Sequence, residues 1–460
     1  MQQPSPTRRR FLQASAALAC PLILPRLHAG ESPNDKLTLG AIGVGGRGTE
    51  IARQAASLGQ MVAVCDVHKD NAVNFQQMVK EKFQQDCKVY TDFREMLAQE
   101  SDIDAVTIGT PDHWHVRNAI EAMKSGKHVY CEKPLTLTLG EGKAIQDAVA
   151  RYGKVFQVGT QQRSEFGMNF LKAVAIAHSG RLGDKLHARS SVGRGGSRSP
   201  IPDMPFGPFP TATVPEALDW DLWQGPAGDV DFCPQRVGWN FRWWFEYSGG
   251  QVTDWGVHHT DIAFWALAGE DGQAIGAEGT AEFMGVDREE VLQFLLGERP
   301  AREMPHAYNT ALAFDVNIGL STGNEIQLVS EENALLISGE RGRIRVNRGG
   351  LTGKPVEEID ADPKAKQEIE ERMAKLYGGE LPQPHLGHMQ NFLDAIADGR
   401  QPIANVADHV RAVNACHLAN VAILLDQAVE FDPEACEFRG NNEANRLVNR
   451  QAREEFPLLV

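Results

Sequence analysis

Apolar positions in the first third of the chain fall into short runs separated by segments of helical spacing. Leu37–Ile42 is an apolar run of strand length, and Thr49–Leu58 after it sets Ile51, Ala55 and Leu58 on one side of a helix. Met61–Cys65 is a second buried strand. The alternation continues through strand Asp104–Ile108, helix Val116–Ser125, strand His128–Cys131, helix Leu139–Tyr152 and strand Val155–Val158. Strands alternating with helices predict a parallel, doubly wound α/β sheet, whose ligands sit at the carboxyl ends of its strands.

The turn after the first strand sharpens this. Gly43-Val44-Gly45-Gly46-Arg47-Gly48 joins strand to helix, and the second strand ends at Asp66, eighteen residues beyond Gly48. Strand, glycine turn, helix, strand and acid in that order form a dinucleotide fingerprint. Gly43 permits the tight turn, Gly45 lets the backbone approach a pyrophosphate, and Gly48 lets the helix pack closely on the strand. The free N–H groups at the helix start face the phosphates. Asp66 can accept hydrogen bonds from the ribose hydroxyls and would repel a 2′-phosphate, so NAD is expected over NADP. Lys69 nearby keeps NADP possible.

Composition changes the picture in two respects. A chain of 460 residues is too long for one ordinary core. Its net charge is −15, and without the first 29 residues 42 basic side chains face 61 acidic ones, a net −19. Such a surface repels phosphate backbones and anionic lipid, so nucleic acid and membrane are poor partners and neutral ligands such as sugars stay open. The excluded segment carries Arg8, Arg9, Arg10 and Arg26 and no acid. With Phe11-Leu12 after the arginines and Ala14–Cys20 beyond, residues 1–29 resemble a twin-arginine export signal whose apolar run is too short to span a bilayer. The expected location is the periplasm, which has no free nicotinamide pool, so a cofactor would have to be held tightly. Seven cysteines show no CxxC spacing, and no disulfide framework is expected.

Three later motifs point the same way. Thr110-Pro111-Asp112-His113-Trp114-His115 and Glu132-Lys133-Pro134 each follow a strand, and Gly249-Gly250 precedes Asp254-x-x-x-His258. Together these motifs resemble the glucose–fructose oxidoreductase, inositol dehydrogenase and MocA (Gfo/Idh/MocA) family, over Lys36 to about Asp432. The Trp-rich stretch before Gly249 and the doubled His258-His259 look like its exported subgroup. The resemblance implies a Rossmann domain (36–158) and then an α+β domain (159–432) with a large, mostly antiparallel open sheet, followed by a tail (433–460). It also implies a homo-oligomer, dimer or tetramer, built through that sheet. Compatible strands are Leu186–Val192, Ala277–Met284, Ala311–Leu320, Glu325–Val329 and Ile344–Val346, with helices at His388–Gly399 and Ala407–Asp426.

Oxidation of a secondary alcohol needs a hydride acceptor and a carrier for the hydroxyl proton. Lys133 stands where the nicotinamide should lie and is the first candidate carrier. Asp254, His258 and Asp261, spaced i, i+4 and i+7, share one helical face, so Asp254 can orient His258 as a second carrier and Asp261 can anchor sugar hydroxyls. His259 points about 100° away. By resemblance, Thr110, Pro111, His115, Glu132 and Gln161 join Gly43, Gly45, Gly46, Arg47, Gly48 and Asp66 around the cofactor, and Arg163 joins Lys133, Asp254, His258 and Asp261 around the substrate. No metal is expected. Trp220, Trp223, Trp239, Trp243, Trp244 and Trp255 suit stacking on pyranose rings, although burial in a core is the simpler expectation for each alone. Val192–Pro215, rich in Gly, Arg, Ser and Pro, reads as a long loop. The expected activity is hydride transfer between a sugar, sugar acid or glycoside and bound NAD. Its rivals are a hydrolase or lyase that oxidises the sugar only transiently, and a sugar-binding protein with a vestigial cofactor site.

Overall fold

The computed structural model describes residues 36–196, 206–381 and 387–457. The arginine-led segment 1–29 therefore lies outside the described residues, as does part of the loop after Val192.

Six strands form the first sheet: β1 Thr38–Ile42, β2 Gln60–Cys65, β3 Lys88–Tyr90, β4 Ala105–Ile108, β5 His128–Cys131 and β6 Phe156–Val158. Their order is β3-β2-β1-β4-β5-β6 and every pairing is parallel. This order reverses direction between β1 and β4, which opens the crevice where dinucleotides bind in such sheets. β4 is buried at all four positions because helices cover both faces. Helix α1, Gly46–Leu58, packs on one side through Ile51, Ala52, Ala55 and Ala56. Helices α2, His115–Lys124, and α3, Leu139–Tyr152, belong to the other side with Val116, Ala119 and Ile145. The expected strands all form. The short β3 and its flanking helices Lys69–Phe83 and Phe93–Gln99 were not expected, since β3 offers only an exposed lysine, two half-buried residues and no apolar run.

The second sheet has nine strands in the order β13-β12-β11-β7-β10-β9-β8-β14-β15. They are β7 Leu186–Ser191, β8 Ala274–Phe283, β9 Ala311–Leu320, β10 Glu325–Val329, β11 Ala334–Gly339, β12 Gly342–Asn347, β13 Gly350–Thr352, β14 Val429–Asp432 and β15 Glu437–Phe438. All pairings are antiparallel except β7 with β10. The expected class, a Rossmann sheet followed by a mostly antiparallel open sheet, is the one observed. Helices α4, Gly256–Leu267, and α5, Val406–Leu425, pack on one face with Asn169–His178 to form the largest core. Alternating buried and exposed positions in β9 leave its other face open.

The segment expected as a tail continues the fold over its described part. β15 pairs with β14, Asn442–Arg446 forms a short helix, and Ala444 is fully buried. Of the tryptophans, Trp220, Trp223, Trp243 and Trp244 are buried in one aromatic cluster, while Trp239 is 38% exposed.

Candidate functional site

At the carboxyl ends of β1, β2, β4 and β5 lies a cavity of about 610 Å³, within the range of small-molecule sites. One end is the glycine turn. Gly43 takes φ +76°, and a Cβ on Gly48 would lie 2.0 Å from the Gly43 carbonyl oxygen, so the close approach of α1 to β1 admits only glycine. Gly45 and Gly46 face the cavity, and a Cβ on Gly46 would meet nothing within 4 Å. No side chain caps the start of α1 and its first turn holds no acid, so its N–H groups and the positive end of its dipole are left for an anionic ligand. Asp66, 8% exposed, accepts from Val44 N and His68 N at 2.8 Å and lines the same cavity. Burial raises its pKa against these hydrogen bonds. Glycine turn, uncapped helix and strand-end carboxylate fit a dinucleotide's pyrophosphate and ribose.

At the other end Lys133 and Asp254 meet. Lys133 Nζ donates to Asp254 Oδ1 at 2.6 Å and to the Asp254 carbonyl at 3.0 Å, with the Lys133 side chain 9% exposed. Arg242 forms a second ion pair with the same carboxylate, at 3.0 Å. Burial alone would raise the Asp254 pKa, but Arg242 and Lys133 hold the carboxyl well below the usual range. Glu132 joins the two ends of the cavity. Its Oε1 accepts from Arg47 Nε at 2.9 Å and from Gln161 Nε2 at 2.7 Å.

Of the residues expected around cofactor and substrate, Gly43, Gly45, Gly46, Arg47, Asp66, Thr110, Pro111, His115, Glu132, Lys133, Gln161, Asp254 and His258 all line this cavity. Gly48 supports it from behind. His115 is buried, and its ring nitrogens bond the carbonyls of Pro134 at 2.7 Å and Thr110 at 2.9 Å, so it ties the two strand-end loops together.

Three expectations need correction. Asp254 does not orient His258: its carboxylate is engaged by Lys133 and Arg242, and His258 Nδ1 is buried with no partner among the described residues. The helix is interrupted at Trp255, so Asp254 closes one short helix, Gln251–Asp254, and His258 lies in the next. Two cations also attract a carboxylate more strongly than a neutral imidazole does. Burial, followed by the charges of Lys133 and Arg348, drives the His258 pKa well below its ordinary value. Arg163 and Asp261 are not at the cavity. They pair with each other at 2.7 and 2.8 Å, 2% and 0% exposed, because a buried guanidinium needs a facing carboxylate. Arg163 also donates to the Ile403 carbonyl ahead of α5, so the pair ties the end of the first sheet to α4 and α5.

Other cavity residues were not foreseen. Glu165 lies two positions beyond Arg163, its Oε1 buried without a partner among the described residues, and burial pushes its pKa up to about 7. Arg348, between β12 and β13, stacks over Trp255 at 4.4 Å, and Arg242 stacks over the exposed Trp239 at 4.0 Å. Strand-end position could have suggested Glu165. Nothing local marks Arg348, which only the sheet's folding brings in.

Comparison with known proteins agrees with this geometry. Residues 37–160 match the oxidoreductase family's NAD-binding Rossmann fold, and residues 207–287 and 362–458 match its C-terminal alpha/beta domain. The chain belongs to the Gfo/Idh/MocA family. Among curated relatives, a glycosyl hydrolase family 109 protein from Shewanella putrefaciens is 32% identical over 213 residues, covering 40% of this chain and 45% of that protein. An α-N-acetylgalactosaminidase from Shewanella oneidensis is also 32% identical over 213 residues, with the same coverage. The match thus spans less than half the length of these relatives. Among solved structures, an oxidoreductase domain protein from Kribbella flavida aligns with TM-score 0.59 at 19% identity, over 86% of this chain and 99% of that one. The WlbA dehydrogenase from Bordetella pertussis, in complex with NADH and UDP-GlcNAcA, aligns with TM-score 0.57 at 17% identity, over 86% and 98%. At such identities these structures establish the fold alone.

Proposed function

We propose that this Gfo/Idh/MocA protein is an NAD-dependent oxidoreductase acting on a CH–OH carbon of a sugar, sugar acid or glycoside. The observation that carries the reading is Lys133, its ammonium fixed on Asp254 at one end of the cavity whose other end is the glycine turn and Asp66. Bound NAD would supply the hydride acceptor. In the oxidising direction the neutral amine of Lys133 takes the proton of the reacting hydroxyl, in the reducing direction its ammonium returns that proton to the forming alkoxide, and Asp254, shared with Arg242, holds Nζ in place. The neutral imidazole of His258 lines the same space and is placed as a second proton acceptor, a weak one because burial lowers its pKa. Trp239 and Trp255 line the same cavity, and a sugar ring would stack on the ring face that Arg242 and Arg348 leave uncovered.

A second reading is favoured by the hydrolase names of the 32%-identical relatives. In it, oxidation is transient: the oxidised carbon acidifies its neighbour, the glycosidic bond is eliminated, and the hydride returns. A panel of sugars and glycosides, followed for product and for nicotinamide absorbance together, separates the two. Oxidised sugar together with reduction of the bound nicotinamide supports the oxidoreductase. Cleaved glycoside with unchanged absorbance supports the second reading, and neither signal with cofactor bound overturns both. The proposal extends to export by the twin-arginine route, a captive cofactor, and a homo-oligomer assembled on the open face of the nine-stranded sheet. Identifying the dinucleotide released on denaturing purified protein tests the captive cofactor.

A further inference from the structure

Behind the dinucleotide cavity lies a second one of about 340 Å³. The turn Asp112–Trp114 stands between them: Asp112 and Trp114 line the first cavity, and His113 lines the second. Leu137 and Thr138, just beyond the Lys133-Pro134 loop, form another part of its wall.

Four arginines reach this space. Two are neutralised elsewhere: Arg299 by Glu290 at 2.5 Å and Arg453 by Asp221 at 2.7 Å. Arg117 and Arg450 have no carboxylate partner among the described residues and donate only to backbone carbonyls. Arg117 Nη2 bonds Phe456 at 3.0 Å and Pro457 at 2.6 Å, while Arg450 Nη1 bonds the carbonyls of Phe245 and Ser248. The two carboxylates in the wall, Glu141 and Glu246, act on them only at a distance and hydrogen-bond to neither. Glu246 is occupied by Arg236 and Asn309, both at 2.8 Å, and Glu141 accepts from Leu137 N. Burial pushes the Glu141 pKa up to about 7 and brings that of Arg450 down to about 10, outweighing the pull of Glu141, Glu246 and Asp112 on Arg450. Withdrawing a guanidinium from water is costly unless an anion faces it, and the N–H fork of an arginine matches the oxygens of phosphate or carboxylate.

We infer that this second cavity binds a small oxyanion, phosphate or the carboxylate of a small acid, between Arg117 and Arg450. Such an anion would join α2, which carries Arg117, to the C-terminal segment that carries Arg450. It would thereby brace the turn and loop that form the back wall of the dinucleotide cavity.

The test titrates the full chain with inorganic phosphate and with malonate at constant ionic strength, reading binding heat and unfolding midpoint. Arg117→Gln and Arg450→Gln are compared with Arg47→Gln, which faces the first cavity instead. The expected result is saturable binding of at least one anion in wild type and Arg47→Gln, weakened about tenfold or more in Arg117→Gln, with the rise in midpoint lost. If Arg450→Gln fails to fold, Arg117→Gln decides alone, being the more exposed substitution. Absence of saturable binding by either anion overturns the inference. So does binding that Arg117→Gln leaves unchanged, or that disappears in Arg47→Gln.

Discussion

Replacing Lys133 by Met removes one ammonium while keeping most of the apolar stem, and the structure fixes what should follow. Asp254 loses its 2.6 Å partner but keeps Arg242 at 3.0 Å, so its buried carboxylate is not stranded. The stability cost is then one charge-assisted hydrogen bond, about 1.5–3 kcal/mol, a few degrees in unfolding midpoint. The chemical step loses its proton carrier, which is worth about 10²–10⁴ in kcat, or about 3–5 kcal/mol of barrier. Asp254→Asn should do the reverse in proportion. It leaves Lys133 and Arg242 facing each other without a counter-charge, and breaking a buried pair in this way costs about 3–5 kcal/mol. Both variants are assayed with cofactor bound, by initial rate on the best sugar of the panel and by thermal unfolding. If Lys133→Met keeps kcat within about threefold, the residue is not the proton carrier. If Asp254→Asn is the more stable variant, the carboxylate is not the charge that organises this end of the cavity.

Gly48→Ala should destabilise the fold by about 1–3 kcal/mol or more and abolish dinucleotide retention, since its Cβ would lie 2.0 Å from the Gly43 carbonyl oxygen; a variant that copurifies with full cofactor contradicts this. Arg163→Met strands the buried Asp261 and should cost about 3–5 kcal/mol of stability with little change in KM. A raised KM at unchanged stability would return Arg163 to the substrate site. Stability should also fall steeply in acid. His113, His388 and His417, with folded pKa values of about 3, His259 at about 4, and His258 and His409 shifted the same way, are neutral in the fold. Below the ordinary value of 6.5 the unfolded chain binds more protons at these sites, so stability is lost as pH drops from there toward the folded values. His128, His178 and His306 are shifted the same way, whereas Glu141 and Glu165, raised from 4.5 to about 7, and the raised carboxyls of Asp66, Asp112 and Asp261 act in the opposite sense, five groups against nine. A urea midpoint that holds constant or rises between pH 7 and pH 5 would refute the assignment.

The dinucleotide end of the site was legible in sequence because its parts are local. The glycine turn, the helix start and the strand-end acid lie within one β–α–β unit, and their geometry follows from backbone sterics and strand direction. Lys133 and Asp254 were legible as types at strand and helix starts, but their pairing was not. They stand 121 residues apart, and which charge Asp254 faces depends on how the two sheets are packed. Helical spacing assigned it to His258; the arrival of Lys133 and Arg242 from other elements claimed the carboxylate instead. Arg163 and Asp261 went astray for a related reason. A charged residue near a strand end reads as a ligand contact until a partner from another element is seen to neutralise it inside the core. Short-range chemistry in the sequence thus determined what the first domain binds, whereas the tertiary structure decided which charges meet, because pairing energies depend on burial and distance and a linear pattern carries neither.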